Sequence, residues 1–176
     1  GVMVVGFVLG TAFPKGGMAQ SPADTDLGKP LDIHEVDSFL AIHADGSVTL
    51  YTSKVDVGTG LLIAISQMAA EELGVPVERV SVVEGDTALT PNQGGTGGST
   101  GIPRGGVEIR QAAATARQAF LKLGAEKLQR PVAELTLADG EVRPAAGGSG
   151  ITIGALIGGK RFALKVDPKA PLKDPA

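Results

Sequence analysis

Cysteine and tryptophan are absent from the chain, and tyrosine occurs once. Without cysteine there is no disulfide, no thiolate nucleophile and no cysteine-held zinc or iron–sulfur centre, and cysteine usage leaves the redox compartment unmarked. One tyrosine and five phenylalanines cannot build an aromatic core, so burial has to rest on alanine, valine, leucine and isoleucine. Histidine is scarce too. His34 and His43 are neither four residues apart nor beside a cysteine, which points to surface or strand-end histidines rather than a metal pair. Positive charge is thin: 16 Lys and Arg against 19 Asp and Glu leave a net charge of −3. With no basic stripe, the electrostatic footprint of nucleic-acid binding is missing and that class is excluded. No apolar run reaches the ~20 residues that span a bilayer. The longest, Gly1–Phe13, matches the apolar centre of an export signal, with Gly17-Met18-Ala19-Gln20 offering small residues for a cleavage site. A buried strand is the alternative, because Val2, Val4 and Val5 are β-branched.

What is present divides the chain into four stretches. Residues 1–20 read as an export-signal or anchor remnant, 21–36 as a Gly, Pro, Asp and Ser linker, 37–143 as a compact unit, and 144–176 as a Gly/Pro-rich extension. Within the unit, Phe39–His43 and Val48–Tyr51 flank Ala44-Asp45-Gly46-Ser47, whose Asp-Gly pair suits a positive-φ hairpin turn. Thr59 is placed to cap a helix that is apolar on most sides, expected to be buried, and stopped by Gly74. A short strand follows over Val80–Glu84. Gly85–Gly101 has too much Gly, Thr, Pro and Asn for regular structure, and a loop of that length in a compact unit is normally functional or disordered. Pro103 opens a second helix that runs to about Leu128, with Ile109, Ala112, Ala113, Ala116, Phe120 and Leu123 on one face and Arg110 and Arg117 elsewhere. Leu135–Leu137 and Glu141-Val142 form a second hairpin through Asp139-Gly140, and Ile151–Ile153 is a candidate edge strand. The expected fold is α+β, a small mixed sheet with two packed helices in the order β-β-α-β-loop-α-β-β.

The chemistry concentrates in two glycine loops, Val57-Gly58-Thr59-Gly60 and Gly94-Gly95-Thr96-Gly97-Gly98-Ser99-Thr100-Gly101, each directly before a helix. Helix starts carry unpaired N–H groups and a positive dipole end, and glycine lets a ligand approach the backbone closely. A cradle for a phosphate-bearing or similarly polar ligand is the functional reading; tight turns are the bland one. A side chain at Gly98 would occupy the ligand's volume. Standard templates fail: the chain has no phosphate loop of nucleotide hydrolases and no nucleophile elbow, and Thr100 takes the place of the last glycine in a dinucleotide fingerprint. The nearby acids Asp56, Glu84 and Asp86 are read as turn caps or strand-end carboxylates rather than as acid–base catalysts.

Several linked stretches nonetheless resemble a known family. They are Asp45–Leu50, Lys54-Val55-Asp56-Val57-Gly58-Thr59-Gly60, Ala70-Glu71-Glu72-Leu73-Gly74-Val75-Pro76, Gly85–Gln93 and Gly97-Gly98-Ser99-Thr100. In this order they are similar to the molybdopterin-binding subunit of the xanthine dehydrogenase/aldehyde oxidase family, and most of all to its exported bacterial branch of isoquinoline 1-oxidoreductase and nicotinate dehydrogenase large subunits. Thr59 departs from the Gln that many relatives carry in Met-Gly-Gln-Gly, as in the nicotinate dehydrogenase branch. The resemblance implies a molybdenum hydroxylase that oxidises an aldehyde or N-heteroaromatic substrate with oxygen from water. It also implies a molybdopterin cofactor in its cytosine dinucleotide form, contacted at Val57, Gly58, Thr59, Gly60, Thr96, Gly97, Gly98, Ser99 and Thr100. Implied partners are the remainder of the subunit, a small two-iron, two-sulfur (2Fe-2S) subunit and a cytochrome c subunit or domain, and the implied compartment is the periplasm. The family's catalytic Glu lies near the far end of a much longer subunit and has no match here, so no catalytic residue or metal ligand is assigned and the chain alone is expected to be inactive. A non-enzymatic periplasmic module with partner-binding glycine loops is the alternative.

Overall fold

The computed structural model describes residues 29–157 and 160–174; the apolar start, residues 1–20, and the first half of the expected linker, residues 21–28, lie outside them. A single helical turn, α1 (Val36–Phe39), leads into the hairpin of β1 (Leu40–Ile42) and β2 (Val48–Thr52). The Asp-Gly turn closes it as the residues dictate. Gly46 has φ +82°, and Asp45 Oδ1 accepts from the Ser47 amide at 2.9 Å. Strand β3 (Val80–Glu84) then pairs with β2 in parallel, from Val48↔Val80 to Thr52↔Glu84. Parallel neighbours require a crossover, and helix α2 (Leu61–Leu73) supplies it.

Gly74 ends α2 in the left-handed conformation, φ +59°, as a glycine past a helix end does. A Cβ there would lie 2.6 Å from the Leu137 carbonyl oxygen, so the helix end abuts the second sheet. That sheet is antiparallel: β4 (Leu135–Ala138), β5 (Glu141–Pro144) and β6 (Ile151–Thr152). Asp139 and Gly140, φ +53° and +71°, make its first turn, the double positive φ of a primed hairpin. The expected α+β class and element order are found, but the strands form two three-stranded sheets rather than one. The reason is α3 (Val107–Leu128), whose 22 residues carry the chain about 33 Å from the glycine loops before β4 begins.

Helices α2 and α3 make the centre. Ile65, Ala69 and Leu73 join Ile109, Ala112, Ala113, Ala116 and Phe120 in the buried cluster; each large aliphatic side chain contributes about 1.5–3 kcal/mol by burial. The alanines permit close approach of α2, and Gly124 does the same for β5: a Cβ there would sit 2.4 Å from Val142 Cγ1. Two expectations need correcting. Helix α2 is not buried all round, since Ile63 is 67% exposed. Arg117, expected on a polar face, is buried because it pairs with Glu72.

Ile153 does not extend β6 but starts a short helix, α4 (Ile153–Ile157). The following tail packs back on the unit. The Asp37 carboxylate accepts from the Phe162 and Ala163 amides at 2.8 and 2.7 Å, and the Phe162 ring meets Phe120 edge to face at 5.3 Å. Further on, Glu72, fully buried, receives Arg110 Nε at 2.9 Å, Arg117 Nη2 at 3.2 Å and the Lys173 amide at 3.1 Å. Arg117 in turn donates to the Pro171 carbonyl.

Candidate functional site

The parallel pairing decides where the glycine loops go. Thr52 and Glu84 end β2 and β3 side by side, and the Gly85 amide donates to the Thr52 carbonyl at 2.9 Å. Both loops therefore leave from the carboxyl ends of adjacent parallel strands, where open α/β sheets bind ligands.

The first loop is organised by Asp56. Its amide donates to Glu84 Oε2 at 2.7 Å, while its own carboxylate accepts from the amides of Gly58, Thr59 and Leu62 at 2.9, 2.8 and 3.3 Å. These contacts, led by the Thr59 amide, hold the Asp56 carboxyl below its ordinary value. The expected helix cap is thus corrected: Gly60, φ +76°, is the residue at the cap position, and the Thr59 hydroxyl itself turns to Asp56 Oδ1 at 3.3 Å. A carboxylate two to six residues upstream outcompetes the Thr hydroxyl because it accepts several N–H groups at once. Asp86 plays the plain turn-capping part expected of it, accepting from Ala88 and Leu89 at 2.8 and 3.1 Å.

The second loop is pegged from behind by buried polar side chains. Gln93 Oε1 accepts from the Thr52 hydroxyl at 2.7 Å and the Ser53 amide at 3.1 Å, and its Nε2 donates to Glu108 Oε2 at 2.8 Å. Lys54, 2% exposed, donates from Nζ to the Gly95 carbonyl at 2.7 Å. Thr96 Oγ1 accepts from the Val55 amide at 2.8 Å, and the Thr100 hydroxyl donates to the Gly97 carbonyl at 2.7 Å. Both threonine hydroxyls, read from sequence as ligand contacts, thus have internal partners that shape the loop. After Thr100 the chain enters a wide π-type turn, Gly101–Gly106, continuous with α3, and Pro103 lies within it as the first-turn reading anticipated.

Together the loops enclose a cleft of about 540 Å³ lined by Val57, Thr59, Gly60, Thr96–Thr100 and, beyond the residues expected, Leu61, Ala64, Gly101, Ile102 and Pro103. Of the nine residues singled out in sequence, Gly58 alone is not in the lining; its amide faces Asp56. Among the described residues, no acid, base or cation lines the cleft. Among the described residues, a Cβ built at Gly60, Gly97 or Gly98 meets nothing within 4 Å, so these residues leave the space beside the three glycines open. Gly60 and Gly98 also need glycine for their φ of +76° and +57°, whereas Gly97 does not. Val57, 72% exposed, makes an apolar rim.

Sequence reasoning gave no role to Lys54 or Gln93. The one signal available was their place inside the matched stretches, since a lysine at a strand end reads as solvated. His43 is a strand-end residue bonded to Thr49 Oγ1 at 2.8 Å, and no cluster of His, Asp or Glu suited to a metal ion occurs among the described residues.

Comparison with known proteins fits this geometry. A nicotinate dehydrogenase subunit of Pseudomonas putida is 39% identical over 139 residues, 79% of this chain and 12% of the relative. Aldehyde oxidase 4 of Cavia porcellus is 32% identical over 102 residues, 57% of this chain and 8% of the relative. The structure of reconstituted CO dehydrogenase from Oligotropha carboxidovorans superposes with a TM-score of 0.60 at 26% identity, covering 67% of this chain and 15% of that one. The chain spans about a tenth of the length of the curated relatives it matches. Residues 1–169 match the family model of the molybdopterin cofactor-binding domain, and the chain belongs to that family.

Proposed function

We propose that the cleft between the two glycine loops holds part of the molybdenum–pterin cofactor of a hydroxylase, and that this chain is one portion of its large subunit. The observation that carries the reading is the open glycine cradle: the loops converge at the ends of β2 and β3, and Cβ atoms at Gly60, Gly97 and Gly98 would project into space that none of the described residues fills. In this reading Thr96–Ser99 and Thr59-Gly60 offer main-chain groups to the cofactor, while Val57 and Ile102 supply apolar walls. When bound, the cofactor supplies the redox and oxygen-transfer chemistry, with the oxygen taken from water. The described residues of this cleft orient it, and none of them is a proton-transfer group.

The finer reading follows the relatives. A cytosine dinucleotide form suits a cradle long enough for phosphates, and an aldehyde or N-heteroaromatic substrate agrees with the names of the matched oxidase and dehydrogenase. Electrons pass to a 2Fe-2S subunit and onward to a cytochrome c subunit or domain. The apolar stretch Gly1–Phe13 motivates a periplasmic location, which fractionation of cells expressing the full-length protein tests.

The deciding experiment is Gly97→Ala in the full-length protein. Gly98 is unsuitable because its φ of +57° penalises any side chain, whereas Gly97 has open space and no such demand. Surface substitutions shift stability by only about half a kcal/mol, so thermal melting should be unchanged. Molybdenum content should fall clearly below the wild-type value, as expected if the methyl weakens cofactor affinity by about tenfold or more, some 1.4 kcal/mol. Full molybdenum occupancy would overturn the reading and leave the loops as turns or partner contacts.

A further inference from the structure

Lys54 is out of place for a loop residue. It is 2% exposed, its amide donates to Thr52 Oγ1 at 3.0 Å, and its stem is wedged so tightly that a Cβ at Gly105 would lie 2.6 Å from Lys54 Cγ. Its ammonium meets the Gly95 carbonyl at 2.7 Å and the Thr100 hydroxyl at 3.4 Å, both neutral. Among the described residues no ion pair includes it. A buried charge held by neutral acceptors alone is incompletely compensated for its lost hydration.

The two groups it holds bracket the arc Thr96–Ser99, and every residue of that arc lines the cleft. No peptide bond among the described residues is cis, and in a planar trans peptide the N–H points opposite to the C=O. Drawing the Gly95 carbonyl onto Lys54 therefore turns the Thr96 N–H away from the buried side.

We propose that Lys54 is a positioning residue for anion binding: it fixes the Gly95–Thr100 arc from behind and supplies the positive charge that the phosphate-bearing part of the cofactor balances from the front. The proposal rests on the cradle reading above. It predicts a through-loop electrostatic effect, with Lys54 outside the cleft and the ligand touching only the arc.

The test uses the cofactor-free full-length subunit and inorganic pyrophosphate, with binding followed by titration calorimetry at low and high salt. Lys54→Met keeps the packed stem and deletes the charge; it should lower pyrophosphate affinity at least about tenfold and flatten its salt dependence. Lys54→Arg keeps the charge and should stay within about threefold of wild type. If the methionine variant does not fold, Lys54→Gln tests the same charge by the same criterion. A purely structural peg would leave the salt dependence unaltered. The proposal is overturned if the wild-type subunit binds no pyrophosphate, if Lys54→Met binds it as wild type does, or if Lys54→Arg loses as much as Lys54→Met with an unchanged salt slope. Low molybdenum in Gly97→Ala together with wild-type pyrophosphate binding in Lys54→Met would remove Lys54 and keep the cradle; full molybdenum in Gly97→Ala would remove the cradle itself.

Discussion

Replacing Glu72 with alanine should be among the most damaging single changes in this chain. Its carboxylate is fully buried and receives three donors: Arg110 Nε at 2.9 Å, Arg117 Nη2 at 3.2 Å and the Lys173 amide at 3.1 Å. Removal leaves Arg117 with the Pro171 carbonyl as its acceptor, while its Nε already lacks a partner. Breaking a buried ion pair from one side costs about 3–5 kcal/mol. Arg110 moderates this, because its side chain is 26% exposed and can turn to water. Glu72→Gln keeps volume and an acceptor and should cost about 2 kcal/mol, the weight of a hydrogen bond to a charged group. Urea unfolding of the variants measures both, and hydrogen exchange at the Lys173 amide reports whether the tail is released. The double replacement Glu72→Leu with Arg117→Met should recover most of the loss, since an apolar pair of similar volume substitutes well for buried ions. A loss under about 1 kcal/mol in Glu72→Ala, with unchanged exchange at Lys173, would refute the reasoning and place the cluster in effective contact with solvent.

Gly124→Ala should cost about 1–3 kcal/mol by overpacking, because the new methyl would lie 2.4 Å from Val142 Cγ1; an unfolding midpoint equal to wild type would contradict the contact. The Asp56 carboxyl is held low in the folded chain, chiefly by the Thr59 amide, so it stabilises when ionised. Its benefit is complete above the ordinary value of 3.8 and fades as pH falls through the lowered folded value. The melting advantage of wild type over Asp56→Asn should therefore be flat from neutral pH down to that region and shrink below it, and an advantage that grows on acidification would reverse the assigned sign.

Local chemistry determined much of this protein. Asp45-Gly46 and Asp139-Gly140 announce their hairpins because few residues other than glycine and aspartate or asparagine readily take positive φ, Gly74 ends its helix for the same reason, and the alanines of α3 declare a helix meant to be approached closely. The two glycine loops were legible as special, as was the family through the stretches that surround them. Tertiary structure decided the rest. Nothing local says that β3 runs parallel to β2, yet that pairing alone sends both loops out of one end of the sheet and makes a cleft of them. Asp56 displaced Thr59 as the organiser of the first loop because a carboxylate can gather several amides once the loop folds over it. The burial of Arg117, Glu72, Lys54 and Gln93 was not legible in the sequence, since a polar side chain is buried only where the fold brings it partners. Those partners lie far along the chain: Glu72 reaches 101 residues to Lys173, and Lys54 reaches 41 residues to Gly95. Periodicity and turn chemistry act over a few residues, whereas the compensation of a buried charge depends on groups that only the folded chain assembles.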